Sequence, residues 1–87
     1  MYALHITEQC EEEIKKLTSR NKTLADALKK KIQQILEKPE HFKPLGNVLA
    51  GLRRVHVDSS FVLIYDFDAN AKSVRLIRFA HHDEAYK

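Results

Sequence analysis

The sequence predicts an α+β domain in which an N-terminal strand and a helical hairpin pack on one face of a small antiparallel sheet. Two observations support this fold class. Apolar residues recur at helical spacing in the first half of the chain, and the period changes to two after residue 50, where three strands are expected to form a meander. The chain has 87 residues, so we expect one domain, residues 1–87, with a single modest core.

The first half of the chain predicts a strand and two helices. Residues 2–6 alternate as a short strand does, and Thr7 is a suitable N-cap for the first helix. The apolar stripe of that helix consists of Cys10, Ile14 and Leu17. Thr23 and Asp26 resemble a capping box at the start of the second helix. That helix should end near Lys38, because Pro39 disfavours helix at the residue before it. The short connection between the two patterns predicts an antiparallel hairpin.

The predicted strands cover residues 52–58, 61–68 and 73–79, with tight turns centred on residues 59–60 and 70–71. In this register Val57 faces Val62, and Leu63 lies between His56 and Arg78. One face then presents an apolar surface to the helices, formed by Val55, Val57, Val62, Ile64, Ile77 and Phe79. The other face carries Arg54, His56, Asp58, Phe61, Leu63, Tyr65 and Arg78, and a row Arg53–Asp66–Arg75 lies at the edge. A slip of one residue would mix the apolar face with charge, which favours this register.

The net charge of +3 and the pI of about 9.1 favour an anionic partner, such as nucleic acid, a membrane surface or an acidic protein. The lysines at 29–31 are more typical of a solvated helix face than of a binding site. No stretch of the sequence reaches the ~20 apolar residues of a membrane span, so we expect a cytoplasmic protein with no membrane partner. Cys10 is the only cysteine, which excludes an intrachain disulfide.

The polar face of the predicted sheet combines cations, an imidazole and aromatic rings. Such a face could hold a phosphate against arginine and stack a base on Phe61 or Tyr65. The alternative is that it is the solvated side of a one-sided sheet, and spacing alone does not choose between the two. The motif His81-His82-Asp83, together with His56 or His5, also invites a metal site. Its spacing matches no standard site, so no metal is predicted.

Four stretches resemble the RelE/ParE superfamily of toxin–antitoxin toxins, and its YafQ-like RelE branch in particular. They are Lys43-Pro44-Leu45, residues 51–57, residues 61–65 and residues 78–86, which together cover about the C-terminal half. The resemblance implies a RelE-like fold and a type II toxin that acts as a ribosome-dependent mRNA endonuclease, or mRNA interferase. Cleavage would be metal-free acid/base chemistry at the RNA 2′-OH, without a cofactor. The implied partners are a cognate antitoxin that is acidic and partly disordered, the ribosome with its mRNA, and operator DNA through the antitoxin only.

The resemblance also implies roles for individual residues. His56 and His82 match catalytic histidines, Arg78 matches a phosphate-binding arginine, and Tyr86 stands where the family has a terminal aromatic residue. The full catalytic prediction is His56, His82, Arg78, Lys43 and Tyr86, and the predicted RNA-binding residues are Arg53, Arg54, Phe61 and Tyr65.

Two departures from the family pattern leave the general base open. Lys43 occupies a position that is often histidine, and Ser60 stands where a catalytic aspartate is common, with Asp58 two residues earlier. The base could therefore be His56, His82 or Lys43. Two other functions share the fold: a ParE-like toxin that inhibits DNA gyrase by binding, and a non-catalytic domain that binds RNA or a partner. The paired histidines favour the nuclease, because proton transfer in both directions needs two such groups.

Overall fold

Two helices cover one face of a five-stranded mixed sheet in the structure, a computed structural model that describes residues 1–46 and 51–85. The elements are β1 (Ala3–Ile6), α1 (Glu8–Thr18), α2 (Lys22–Glu37), β2 (Lys43–Pro44), β3 (Arg53–Val57), β4 (Phe61–Asp68) and β5 (Ser73–His81). The strands lie in the order β1-β5-β4-β3-β2. The predicted α+β class, helical hairpin and meander are confirmed. The sheet is mixed because β1 runs parallel to β5, and the short β2 adds an edge strand beside β3.

Side-chain caps fix the starts of both helices. The Thr7 hydroxyl accepts a hydrogen bond from the backbone N–H of Cys10, as predicted for α1. The predicted cap of α2 at Thr23 is wrong, because the Asn21 side chain accepts from the backbone N–H of Leu24. Asparagine is a stronger N-cap than threonine, and here it comes two residues earlier. α2 ends before Lys38, and Pro39 opens a 3₁₀ turn, Pro39–His41.

The main core lies between the helices and the sheet. Its buried side chains come from α1, α2 and the inner strands: Cys10, Leu24, Leu28, Ile35, Val55, Val57, Leu63, Tyr65, Val74, Leu76 and Phe79. We call this side of the sheet the helix face and the opposite side the open face. In the described ranges, no helix is both long and apolar enough to cross a membrane.

The register between β3 and β4 differs from the prediction by one residue. Val57 pairs with Phe61, and three residues, not two, connect the strands. Asp58 and Ser59 in this connection have φ values of 50° and 58°, in the left-handed region. The predicted pairing of His56 with Leu63 is therefore wrong, and His56 pairs with Val62. A shift of one residue exchanges the faces of β4, so Leu63 and Tyr65 face the helices.

A β-bulge changes the register again between β4 and β5. Asp66 pairs with Arg75, as predicted, and Tyr65 pairs with Leu76. The ladder then skips Ile77, so Ile64 pairs with Arg78 and Leu63 with Phe79. The predicted pairs of Leu63 with Arg78 and of Ile64 with Ile77 are wrong, because an extra residue in one strand displaces every pair beyond it.

The open face carries a small apolar cluster of its own. Its buried members are Val62, Ile64, Ala80 and Ala85, and Leu45 and Leu52 pack against them. β4 is therefore buried on both faces, a pattern typical of the central strand of a sheet that is covered on both sides. The cluster holds the segment after β5 against the open face through Ala85.

Tyr65 ties the sheet to the 3₁₀ turn. It is fully buried, and its hydroxyl donates to the carbonyl oxygen of Pro39. Burial raises the pKa of the Tyr65 phenol from 10.0 to about 12. Because Tyr65→Phe removes the donor from a buried carbonyl, we expect it to lower the free energy of unfolding by about 1–3 kcal/mol near neutral pH.

The effect of Tyr65→Phe should depend on pH. A pKa that is higher in the folded state gives a contribution that is complete below the unfolded pKa and is lost as the pH rises through the folded one. The window here runs from 10.0 to about 12. Urea unfolding of both proteins near neutral pH and at about pH 11 checks this. A difference between the two proteins that is the same at both pH values would contradict the assignment.

Candidate functional site

A row of cations crosses the open face. Lys43 of β2 pairs with Arg54 of β3, Arg54 pairs with Ile64 of β4, and Ile64 pairs with Arg78 of β5. Directly paired residues present their side chains on the same face of a sheet. Strand spacing places the Cα atoms of Arg54 and Arg78 about 10 Å apart, on either side of the buried Ile64. We call Lys43, Arg54 and Arg78 the cationic row.

His56 lies beside this row on the open face. It follows Arg54 by two residues on β3, so both side chains leave the strand on the same side. The neighbouring residues across the sheet are Val62 and then Ala80, which belong to the buried open-face cluster. His56 itself is exposed. His56 thus lies beside the buried open-face cluster and is exposed to solvent.

Glu13 of α1 holds Arg78 at the edge of the sheet. Arg78 Nε donates to Glu13 Oε2 at 2.9 Å, and the Phe79 backbone N–H donates to Glu13 Oε1 at 3.0 Å. β1 ends at Ile6, which pairs with Leu76 of β5. Beyond that point, the Glu13 carboxylate and not a strand accepts the backbone N–H of Phe79 in β5. The sequence interpretation missed Glu13. Its signal was its position three residues after Cys10 and four before Leu17, within the apolar stripe.

The pKa of the Cys10 thiol is raised to about 12, first by burial and then by the nearby charge of Glu13, while Arg78 lowers it. A thiol with such a pKa stays protonated near neutral pH. Cys10 is therefore a core residue and not a candidate nucleophile.

His82 lies just beyond β5. Its backbone N–H donates to the Ser60 carbonyl at 2.9 Å, beside the connection between β3 and β4. Its ring contacts Asp83, with Nδ1 and Oδ1 3.0 Å apart, and lies 4.8 Å from the ring of His81. The strand geometry puts the Cα atoms of His82 and His56 on the order of 12 Å apart. Tyr86 lies outside the described residues.

Three of the predicted RNA-binding residues lie on the helix face. Phe61 stacks on Phe79, with ring centroids 5.7 Å apart, and Tyr65 is buried. Arg53 donates to the carbonyl oxygens of Glu40 and Phe42 and lies over the ring of Phe67. The predicted position of Phe61 and Tyr65 beside His56 is wrong, because the one-residue shift turned them to the other face. Arg54 alone of that set lies on the open face.

Of the predicted row Arg53–Asp66–Arg75, the pair of Asp66 and Arg75 is confirmed and the position of Arg53 is wrong. Asp66 and Arg75 form an ion pair with a distance of 2.6 Å, but Arg53 pairs with Tyr65 in the ladder. The two hydrogen bonds from Arg75 to Asp66 raise the pKa of the Arg75 guanidinium. This neutralised pair lies two positions along β4 from Ile64, at the end of the open face near β1.

The open face therefore carries the residue types that binding of an anion and transfer of a proton require. Lysine and arginine side chains supply charge and hydrogen-bond donors for a phosphate, and an exposed imidazole can accept or give a proton near neutral pH. Lys43 and Arg54 lie on one side of the buried Ile64 and Arg78 lies on the other, so cations flank the open-face cluster on two sides.

Comparisons with known proteins agree with this fold. The model of the family "ParE toxin of type II toxin-antitoxin system, parDE" matches residues 4–86. The RelE4 protein of Methanocaldococcus jannaschii is 39% identical over 87 residues, which cover 100% of this chain and 93% of that protein. A chain of the toxin–antitoxin complex RelBE2 from Mycobacterium tuberculosis has a TM-score of 0.77 at 25% identity, over 92% of this chain and 96% of the other. YafQ from E. coli has a TM-score of 0.80 at 18% identity, over 100% of both chains.

The family match covers nearly the whole chain, and the relatives extend over the same elements that build the cationic row. The chain belongs to the ParE toxin family of type II toxin–antitoxin systems, within the RelE/ParE superfamily.

Proposed function

We propose that this toxin is an endonuclease that cleaves mRNA on the ribosome. The observation that carries the proposal is the position of His56, an exposed imidazole beside the cationic row on a rigid open face. A toxin that cleaves RNA needs both a proton-transfer group and charge for the phosphate, and this face presents both. Such a target would place the protein in the cytoplasm.

The proposed reaction is an attack of the RNA 2′-oxygen on the adjacent phosphorus. A base removes the 2′-OH proton, the bond from oxygen to phosphorus forms, and the bond from phosphorus to the 5′-oxygen breaks as an acid protonates that oxygen. His56 and His82 take the two proton roles, and Lys43 is the remaining candidate for the base. Arg78 and Arg54 stabilise the negative charge that the phosphate gains in the transition state.

The histidine assignment is tested by cleavage of a defined mRNA on purified ribosomes. We expect His56→Ala and His82→Ala each to slow cleavage by about 10²–10⁴-fold, the usual contribution of an acid or base. His5→Ala and His41→Ala are matched controls, because both residues are exposed and neither belongs to the cationic row. Cleavage that survives both His56→Ala and His82→Ala would overturn the assignment, and loss only in Lys43→Ala would make Lys43 the base.

The family match itself favours a second candidate, inhibition of DNA gyrase by binding, since the matching family is named for ParE. Such a toxin needs no proton transfer, so it would keep its effect in His56→Ala. A gyrase supercoiling assay beside the mRNA assay separates the two functions. Inhibition of supercoiling without mRNA cleavage would establish the binding toxin and refute the nuclease.

We also propose a cognate antitoxin as the partner. The RelBE2 structure is a complex of a toxin with its antitoxin, and the chain aligned with it covers 92% of this protein. The excess of positive charge, +3 overall, favours an acidic partner that covers the cationic row. Contact with operator DNA would then come through the antitoxin.

A further inference from the structure

The turn after β5 gathers three potential metal ligands. Among residues 1–46 and 51–85, His81, His82 and Asp83 are the one group of three His, Cys, Asp or Glu residues whose ligand atoms come together, all within 4.8 Å. His82 Nδ1 is 3.0 Å from one carboxylate oxygen of Asp83, and His81 Nδ1 is 3.5 Å from the other. The two nitrogens and the carboxylate therefore lie close together at the surface, and an ion bound there would replace the hydrogen bond of 3.3 Å that His81 Nδ1 accepts from the Asp83 backbone N–H.

The backbone of this turn is fixed on both sides. His81 ends β5 opposite Phe61, and the two rings meet edge to face at 5.7 Å. The backbone N–H of His82 donates to Ser60, and those of Glu84 and Ala85 donate to the His81 carbonyl at 2.8 and 3.1 Å. Ala85 is 4% exposed in the open-face cluster. Because the chain is anchored before and after the three ligands, little conformational entropy is lost when they bind an ion.

We propose that His81, His82 and Asp83 bind a divalent transition-metal ion of the zinc class. Two imidazole nitrogens and one carboxylate oxygen suit Zn²⁺, Co²⁺, Ni²⁺ or Cu²⁺, whereas Mg²⁺ and Ca²⁺ prefer oxygen ligands only. Three protein ligands leave a fourth position of a tetrahedral zinc site for water or another group. Sequence spacing argued against a metal here. The structure favours a metal site despite that spacing, because the turn brings the ligand atoms of three consecutive residues within 4.8 Å of one another.

The site has a consequence that rests on the proposed function. With Nδ1 bound to an ion, Nε2 of His82 carries the remaining ring proton and has no lone pair to accept another, so the metal-bound ring cannot act as a base and is a poor acid. Zinc should then inhibit mRNA cleavage. His81→Ala should relieve that inhibition, because it removes a ligand and leaves His82 in place.

Binding is measured by calorimetric titration of ZnCl₂ into the full chain at about pH 7.5, where imidazole is mostly neutral, with MgCl₂ as the comparison ion. We expect one Zn²⁺ per chain and a Kd that rises about tenfold or more in His81→Ala, His82→Ala and Asp83→Asn. His5→Ala and His41→Ala are the controls and should bind zinc as the unaltered chain does. In NMR spectra of the unaltered chain, Zn²⁺ should shift the ring resonances of His81 and His82 but not those of His5.

Zinc binding that is equal in the ligand variants and the unaltered chain would overturn the proposal, as would ring resonances of His81 and His82 that do not move. Either result would mean that Asp83 and the two imidazoles only contact one another in this turn and bind no ion. The titration needs no RNA, so it separates the two proposals. Zinc binding without any mRNA cleavage would refute the nuclease alone, and cleavage without zinc binding would refute the metal site alone.

Discussion

Arg78→Ala is expected to slow mRNA cleavage by about 10²–10³-fold, the usual loss when a donor to transition-state charge is removed. Arg78 stands at one end of the cationic row, and Glu13 engages its Nε at 2.9 Å. The Glu13 carboxylate accepts from Nε of the guanidinium. The two Nη atoms are then the donors that can bind a phosphate in a bidentate manner. Arg78→Lys should recover only part of the rate, because an ammonium cannot bind in two places at once.

Arg75→Ala is the matched control for this experiment. Arg75 is also an arginine of β5 and is also paired with a carboxylate, that of Asp66. It lies at the other end of the open face, so its removal should leave the cleavage rate unchanged. Equal losses in the two variants would mean that net charge, and not the position of Arg78, supports RNA binding.

Stability measurements show whether a loss of cleavage in Arg78→Ala comes from unfolding of the variant. The side chains of Arg78 and Glu13 are 25% and 20% exposed, so their ion pair is partly screened by solvent and should contribute about 1 kcal/mol. Arg78→Ala should therefore remain folded. Full cleavage by a folded Arg78→Ala variant would remove Arg78 from the mechanism.

Periodicity was enough to predict the fold class, because both the helical stripes and the alternation of strands reflect burial directly. It also put Arg54 and His56 on the face away from the helices. The alternation of β3 is unambiguous there, since valines at 55 and 57 mark its buried side. The caps were predicted less well, because Asn21 and Thr23 both suit the start of a helix.

The register of β4 could not be predicted, because this strand is apolar on both faces. The run from Phe61 to Tyr65 offers an apolar surface whichever way it is turned, so a slip of one residue still directs apolar side chains of β4 to the helices, and the mixing with charge expected from the sequence does not occur there. The connection at residues 58–60 adds no signal either. Asp58 and Ser59 adopt left-handed backbone without the glycine that usually marks such a turn. The bulge at Ile77 is similarly unmarked.

This error explains the uneven outcome for the site. Arg54 and His56 of β3 lie on the open face, as expected from the sequence, whereas Phe61 and Tyr65 of β4 lie on the helix face. Hydrogen bonds between elements that are distant in the sequence could not be predicted from periodicity. The bond from Arg78 to Glu13 joins residues 65 positions apart, and only the packing of α1 beside β5 creates it.

Leu63→Ala and Ile77→Ala give the sharpest test of the observed register, because the two registers predict opposite results. In the predicted register Leu63 faces solvent and Ile77 lies in the core. In the structure Leu63 is fully buried in the main core, and Ile77 lies at the bulge, outside both apolar clusters and only partly buried.

We expect Leu63→Ala to lower the free energy of unfolding by about 3–5 kcal/mol, through lost burial and a cavity. Ile77→Ala should cost less than about 1.5 kcal/mol. Urea unfolding with equal m-values for both variants measures the difference. A larger loss for Ile77→Ala would favour the predicted register instead, in which Phe61 and Tyr65 lie on the same face as His56.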